Sequence, residues 1–76
     1  MLDRRTLEDH LAQAERHIAS GWAHVERQRA LVACLEADSH DTVMARNLLR
    51  QFVGELASHV ADRDRILTEL CNSPRH

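Results

Sequence analysis

The chain has very few of the residues that interrupt helices or build aromatic cores. Its 76 residues include one proline, two glycines, one tryptophan, one phenylalanine and no tyrosine. So few aromatic residues fit a core of Leu, Ile, Val and Ala better than a globular α/β domain. No run approaches the roughly 18 apolar residues of a membrane span. A chain this short makes one domain at most, with little apolar surface to bury.

Lysine is absent too, and all ten basic residues are arginine. The arginines are mixed with twelve acidic residues, and the formal net charge is −2. We expect no strong field of one sign, which argues against general nucleic-acid binding, because that binding needs clustered basic residues. Arginine suits the recognition of phosphate or carboxylate, but a genome that favours arginine codons explains the same composition without any ligand.

Motifs for catalysis and export are missing as well. The sequence has no Gly-rich phosphate loop, nucleophile elbow, H-E-x-x-H or C-x-x-C motif, which predicts no enzyme and no cofactor. The N-terminal stretch has no apolar core of signal-peptide length. This predicts a cytoplasmic protein that does not enter a membrane, in which Cys34 and Cys71 stay reduced.

The chain does have two heptad stripes, separated by one short break. In both halves, mostly apolar or small residues recur at alternating spacings of four and three, the spacing of a coiled-coil seam. The first stripe is Leu7, Leu11, Ala14, Ile18, Gly21, Val25, Gln28, Val32 and Leu35; the second is Ala45, Leu49, Phe52, Leu56, His59, Arg63, Ile66 and Leu70. The pattern predicts an all-α, antiparallel two-helix hairpin, a single domain over residues 1–76.

Cap residues set the expected boundaries of the hairpin. Helix 1 is predicted over about 4–37, with Asp3 or Thr6 at its start, and helix 2 over about 42–71, with Asp41 as its cap. Residues 38–41 form the turn and residues 72–76 a frayed tail. Residues whose numbers sum to about 79 should lie side by side, which puts Gly21 opposite Ser58. Small side chains at Ala14, Gly21, Gly54, Ala57 and Ser58 would then allow close approach of the two backbones.

The apolar surface of helix 2 is wider than one partner helix requires. A face of this width is typical of a bundle helix, and small scaffolds without disulfides often oligomerise. We therefore predict a homodimer in which two hairpins form a four-helix bundle. The residues predicted at this interface are Trp22, Leu31, Leu48, Val53, Val60 and Leu67. An unidentified protein is the alternative partner.

Three histidines follow the first stripe at a spacing of seven, at His10, His17 and His24. Seven residues give about 10.5 Å of rise, so two of them cannot share a metal without help from elsewhere. With donors from the second helix or a second copy they can form metal-binding or pH-sensitive layers. The alternative is structural, since polar residues commonly flank a seam. The weak metal candidates are His10, His17, His24 and His59.

Polar residues also interrupt the second stripe, at His59 and Arg63. The antiparallel arrangement places His17 near His59 and Asp62, which predicts a polar layer of His17, His59, Asp62 and Arg63. Such a layer can fix the helix alignment and the choice of partner, and Gln28 is expected to do the same on the first helix. The other interpretation of the layer is an anion or metal site.

Four segments resemble short alphaproteobacterial hairpin proteins of unknown function. They are LAQAERHIASG at 11–21, HDT at 40–42, LLRQF at 48–52 and HVADRDR at 59–65. Those proteins usually have glycine where Ser39 stands and a polar residue where Trp22 stands. Ser39 disfavours a glycine-type left-handed cap on helix 1, and Trp22 suggests a contact particular to this chain. The resemblance implies no activity.

The architecture is also similar to plasmid Rop, a dimeric hairpin that binds RNA, although here Arg16, Arg27, Arg46 and Arg50 alternate with glutamates. Three hypotheses follow. The first is a non-enzymatic protein–protein interaction or regulatory module acting as a homodimer. The second is a histidine-based metal or pH sensor, and the third is a Rop-like RNA binder.

Overall fold

A computed structural model describes residues 3–72 and shows two α-helices packed against each other. Helix α1 spans Arg4–Ala37 and helix α2 spans Val43–Asn72. The described residues contain no strand. The bounds of α1 coincide with the predicted range, and α2 begins and ends one residue later than predicted. Within the predicted tail, Asn72 belongs to α2 and residues 73–76 lie outside the described part.

Contacts at the two ends of the hairpin show that the helices run antiparallel. Near the turn, Nε2 of Gln28 donates to the carbonyl oxygen of Ala45 at 2.9 Å. At the far end, the guanidinium of Arg4 reaches the carbonyl oxygen of Leu70 at 3.4 Å. The result is a thin rod of 60 × 14 × 13 Å.

Asp3 is the residue that starts α1. Its carboxylate accepts a hydrogen bond from the backbone N–H of Thr6 at 2.7 Å, which decides between the two predicted start points. That bond, with a smaller contribution from the Thr6 hydroxyl, lowers the pKa of the Asp3 carboxyl from its usual value. An ionised carboxylate here satisfies one of the N–H groups that the first helical turn leaves without an intrahelical partner.

The turn contains a residue with left-handed backbone conformation, and that residue is a serine, not a glycine. Ser39 has a φ of 59°, its N–H bonds to the carbonyl of Glu36, and the N–H of His40 bonds to that of Leu35. This is the hydrogen-bond pattern of a Schellman cap, which the serine was expected to disfavour. Two backbone hydrogen bonds offset the strain of a left-handed serine. As predicted, Asp41 caps α2, by accepting from the N–H of Val43 at 2.9 Å.

The core lies along the two predicted stripes and is small. The buried apolar residues are Leu7, Ala14, Val25, Val32, Leu56 and Ile66, joined by one buried polar residue, Gln28. All seven belong to the stripes. One interface between two helices supplies the whole core of the described residues, so much of each helix faces outward.

The predicted contact of Gly21 with Ser58 is wrong, because Gly21 packs on Leu56. The Cδ1 of Leu56 lies 3.2 Å from the position that a Cβ on residue 21 would take. An antiparallel seam interleaves the residues of the two stripes, and Ser58 does not belong to a stripe. A Cβ on Gly54 would meet no packing neighbour within 4 Å, and Ala57 and Ser58 are exposed. Of these five small residues, only Gly21 is packed closely on the other helix, and Ala14 is buried in the core.

Candidate functional site

The predicted histidines line one side of the seam, together with carboxylates from the other helix. His10 and His17 share a cavity of about 340 Å³ with Asp62 and Glu69. His17 and His24 share the next cavity, of about 270 Å³, with Glu55. We call this surface the histidine groove, defined by His10, His17, His24, Glu55, Asp62 and Glu69.

Each residue of the groove stands one position before a seam residue. In an antiparallel pair, positions that precede the seam on one helix lie beside the equivalent positions on the other. The histidines of α1 accordingly lie beside carboxylates of α2: His10 and His17 near Asp62 and Glu69, and His17 and His24 near Glu55. Within residues 3–72, no ion pair joins these imidazoles to the carboxylates.

Two ring contacts occur along the groove. The imidazoles of His17 and His59 have their centroids 5.0 Å apart and their planes tilted by 48°. Two helical turns closer to the connecting turn, the ring of His24 lies against that of Phe52 with a centroid distance of 5.3 Å. His59 is half-buried on the seam, whereas His17 and His24 are exposed. The histidine pair thus bridges the two helices at the edge of the seam.

The predicted polar layer is only partly assembled. The structure brings His17 and His59 together and places Asp62 in the cavity that His17 also lines. The fourth member, Arg63, turns away and donates to Asp64 at 3.0 Å. Its long side chain reaches the adjacent carboxylate more easily than the imidazoles across the seam. Asp62 accepts from Arg65 at 3.5 Å.

The described residues hold no preformed metal site. No group of three His, Cys, Asp or Glu side chains in residues 3–72 is arranged to hold an ion. His10 lines a different cavity from His24 and His59, so the four metal candidates do not form one cluster. Cys34 and Cys71 are exposed free thiols that line none of the cavities described here.

An apolar hollow lies at the turn end of the same side. Leu31 and Leu48, two of the residues predicted at an interface, line a cavity of about 540 Å³ together with Met44. We call these three residues the apolar hollow. Met44 is 85% exposed, and its side chain has almost no contact with the rest of the hairpin. Leu31 and Leu48 each stand one position before a seam residue, so they face a different side from the other predicted interface residues.

The other four predicted interface residues stand one position after a seam residue and lie on the opposite side. They are Trp22, Val53, Val60 and Leu67, which we call the tryptophan face. Trp22 is 49% exposed and Leu67 is 42% exposed, whereas Val60 is half-buried. Val53, Val60 and Leu67 follow one another at a spacing of seven, so they form one continuous row along α2.

Several arginines are neutralised locally. Arg46 pairs with Glu36 next to the turn, Arg63 with Asp64, and Arg65 with Asp62. These pairs leave less positive charge for a phosphate backbone, and Rop-like RNA binding stays a prediction without a contact that favours it. In the described part of the chain, neither helix has a stretch that is long and apolar enough to cross a lipid bilayer.

Sequence reasoning missed three residues that the structure adds to these surfaces. Glu55 and Glu69 belong to the histidine groove, and Met44 belongs to the apolar hollow. A comparison of the positions before each seam residue on both helices would have found the two glutamates. The same comparison marks Met44, which stands one position before Ala45.

Comparisons with known proteins give no relative. No family model, no curated protein sequence and no solved structure matches the chain. The likeness to alphaproteobacterial hairpin proteins stays a prediction.

Proposed function

We propose that the protein is a non-enzymatic interaction module that acts as a homodimer, in which two hairpins pack through their tryptophan faces into a four-helix bundle. The observation that carries the proposal is the apolar row of exposed Val53, half-buried Val60 and exposed Leu67, beside a half-exposed Trp22. Exposed apolar residues that form a continuous row favour a partner surface, whereas scattered ones do not. The small core of the single hairpin supports the same conclusion, since association adds buried apolar area.

A second copy is the partner that fits this face best. A two-fold axis lets one apolar row pack against its own equivalent, because the same patch is presented by both copies. The flanking charges also complement each other. Seven residues before Trp22 stands Glu15, and seven residues after it stands Arg29; both are exposed. Neither makes an ion pair within residues 3–72.

These charges favour an antiparallel arrangement of the two copies of α1 about the two-fold axis. If the two-fold axis passes near Trp22, then Glu15 of one hairpin faces Arg29 of the other, on both sides of the axis. Charges at positions that flank a helical seam commonly set the orientation of the partner. The proposal keeps the cytoplasmic location expected from the sequence, because exposed thiols such as Cys34 and Cys71 persist in a reducing compartment.

The test compares two neighbouring substitutions that add the same charge. Val60→Glu places a carboxylate on the tryptophan face, whereas Ala61→Glu places it on the outer surface of the same helix, where Ala61 is exposed. We expect sedimentation equilibrium to give about twice the 8.7 kDa chain mass for the wild type and for Ala61→Glu. Val60→Glu should weaken association by at least ~100-fold, as expected for a charge in a desolvated apolar interface.

Trp22 supplies an independent reading, since it is the one tryptophan of the chain. Its fluorescence should shift to shorter wavelength as the protein concentration rises through the dissociation constant. Circular dichroism keeps the result interpretable, because Val60→Glu must stay helical to count as a dissociated hairpin. A wild-type chain that is folded and monomeric at micromolar concentration would overturn the homodimer.

A further inference from the structure

The spacing between His17 and His59 matches that of two ligands for one metal ion. Their ring centroids are 5.0 Å apart across the two helices. Two imidazoles bonded to one zinc ion at about 2.0–2.1 Å and a tetrahedral angle have centroids roughly 5 Å apart. The rings are tilted by 48° and not stacked flat. Small rotations about the side-chain bonds can therefore aim one nitrogen of each ring at a common point.

Glu55 is the carboxylate placed to be the third ligand. It stands one helical turn before His59, and a spacing of four puts both side chains on one face of α2. The cavity of about 270 Å³ is lined by His17, His59 and Glu55 together. Within residues 3–72, Glu55 makes no hydrogen bond or ion pair, whereas Asp62 is held by Arg65. Glu55 is therefore free to rotate toward the imidazoles.

We propose that His17, His59 and Glu55 bind one divalent transition-metal ion, such as Zn²⁺, Ni²⁺ or Cu²⁺, with water completing the coordination. Two imidazoles and a carboxylate suit these borderline ions better than Mg²⁺ or Ca²⁺, which take oxygen ligands. No metal site is preformed in residues 3–72, so binding requires Glu55 to change rotamer. The ion would clamp α1 to α2 and stabilise the hairpin by mass action.

The metal site and the tryptophan face lie on opposite sides of the seam. The three ligands border the histidine groove, which a partner packed on Trp22 and Val60 leaves open. Metal binding and homodimerisation can therefore fail independently. A Val60→Glu hairpin should bind metal as tightly as the wild type does, and a His17→Gln chain should still dimerise.

The test is calorimetric titration of the full chain with Zn²⁺, Ni²⁺ and Cu²⁺ salts, combined with thermal melting. We expect one ion per chain, a dissociation constant tighter than about 10 μM for at least one metal, and a higher Tm with that metal. His17→Gln and His59→Gln should each weaken binding at least ~30-fold, and Glu55→Gln about tenfold. His17 is exposed, so its substitution reports binding without disturbing the core.

His10→Gln and His40→Gln are the matched controls, because each removes one imidazole outside the site. Both should bind metal like the wild type. Equal affinity of the wild type and His17→Gln would overturn the proposal, as would a loss of binding in the His10 or His40 variant alone. Failure of all three metals to bind at 10 μM would overturn it as well.

Discussion

The two sides of the hairpin flank the same seam and yet carry opposite chemistry. Away from the turn, positions just before the seam residues hold imidazoles and carboxylates, which line open cavities. Positions just after them hold Trp22 and the row of Val53, Val60 and Leu67. A shift of one residue along a helix turns a side chain by about 100°, which suffices to change its surroundings completely. A two-helix rod can therefore present polar groups on one side and an apolar row on the other.

The largest expected effect comes from truncating a buried seam residue that lies between the two sides. Leu56 is buried against Gly21 at the middle of the seam. Leu56→Ala should cost about 3 kcal/mol of unfolding free energy, because it deletes a packed side chain where no other residue can fill the space. Urea denaturation followed by circular dichroism measures this. Leu67→Ala, on the exposed row, is the control and should cost the hairpin itself less than about 1 kcal/mol.

A change in the turn should stabilise the hairpin and leave the difference between its sides untouched. Ser39 has a left-handed backbone that glycine adopts without strain. Ser39→Gly should therefore add about 1 kcal/mol and raise the Tm by ~4–8 °C. The same melting curves on Ser39→Ala provide the comparison, since alanine keeps the strain and should give no gain. A lower Tm for the glycine variant would contradict this account of the turn.

Exchanging the charges of Glu15 and Arg29 tests how two tryptophan faces are oriented in the proposed dimer. If the two copies of α1 run antiparallel in the dimer, Glu15→Arg places arginines opposite each other, and the dissociation constant should rise about fivefold at low salt. Combining it with Arg29→Glu should restore wild-type affinity, because the attraction is re-formed with reversed signs. Sedimentation at two salt concentrations gives both numbers. A double variant that dimerises no better than Glu15→Arg would exclude the antiparallel arrangement.

The smallest effect concerns the first turn of α1, away from both sides. The pKa of the Asp3 carboxyl is lowered by the hydrogen bonds from Thr6. Its contribution to stability is therefore complete above the unfolded-state pKa, near 3.8, and is lost as pH falls through the lower folded-state value. Between pH 5 and pH 2 the Tm of the wild type should fall slightly more than that of Asp3→Asn. Parallel slopes would show that the cap contributes nothing to acid sensitivity.

The sequence predicts the helices well, because their causes are local. The stripes, Asp3 and Asp41 each act within a few residues, and the helix bounds and caps follow from them. The alignment of the helices is harder, since Gly21 meets Leu56 through interleaving of two distant stripes. Arg63 does not join the predicted layer, because its side chain adopts a rotamer that bonds to the adjacent Asp64. Residue spacing does not predict which rotamer a side chain adopts. Ser39 was mispredicted because hydrogen bonds of the surrounding turn decide its backbone.

The buried amide of Gln28 has a consequence for how a repetitive sequence reaches one structure. Heptads are degenerate, since sliding one helix by seven residues matches the seam pattern again. Gln28 donates to the carbonyl of Ala45, beside a side chain that is only a methyl group. One slip brings Phe52 to that place, where a ring competes for the space. The opposite slip brings residue 38, which precedes α2 altogether. Together with the short turn, the amide of Gln28 thus favours the one alignment in which it is both buried and bonded.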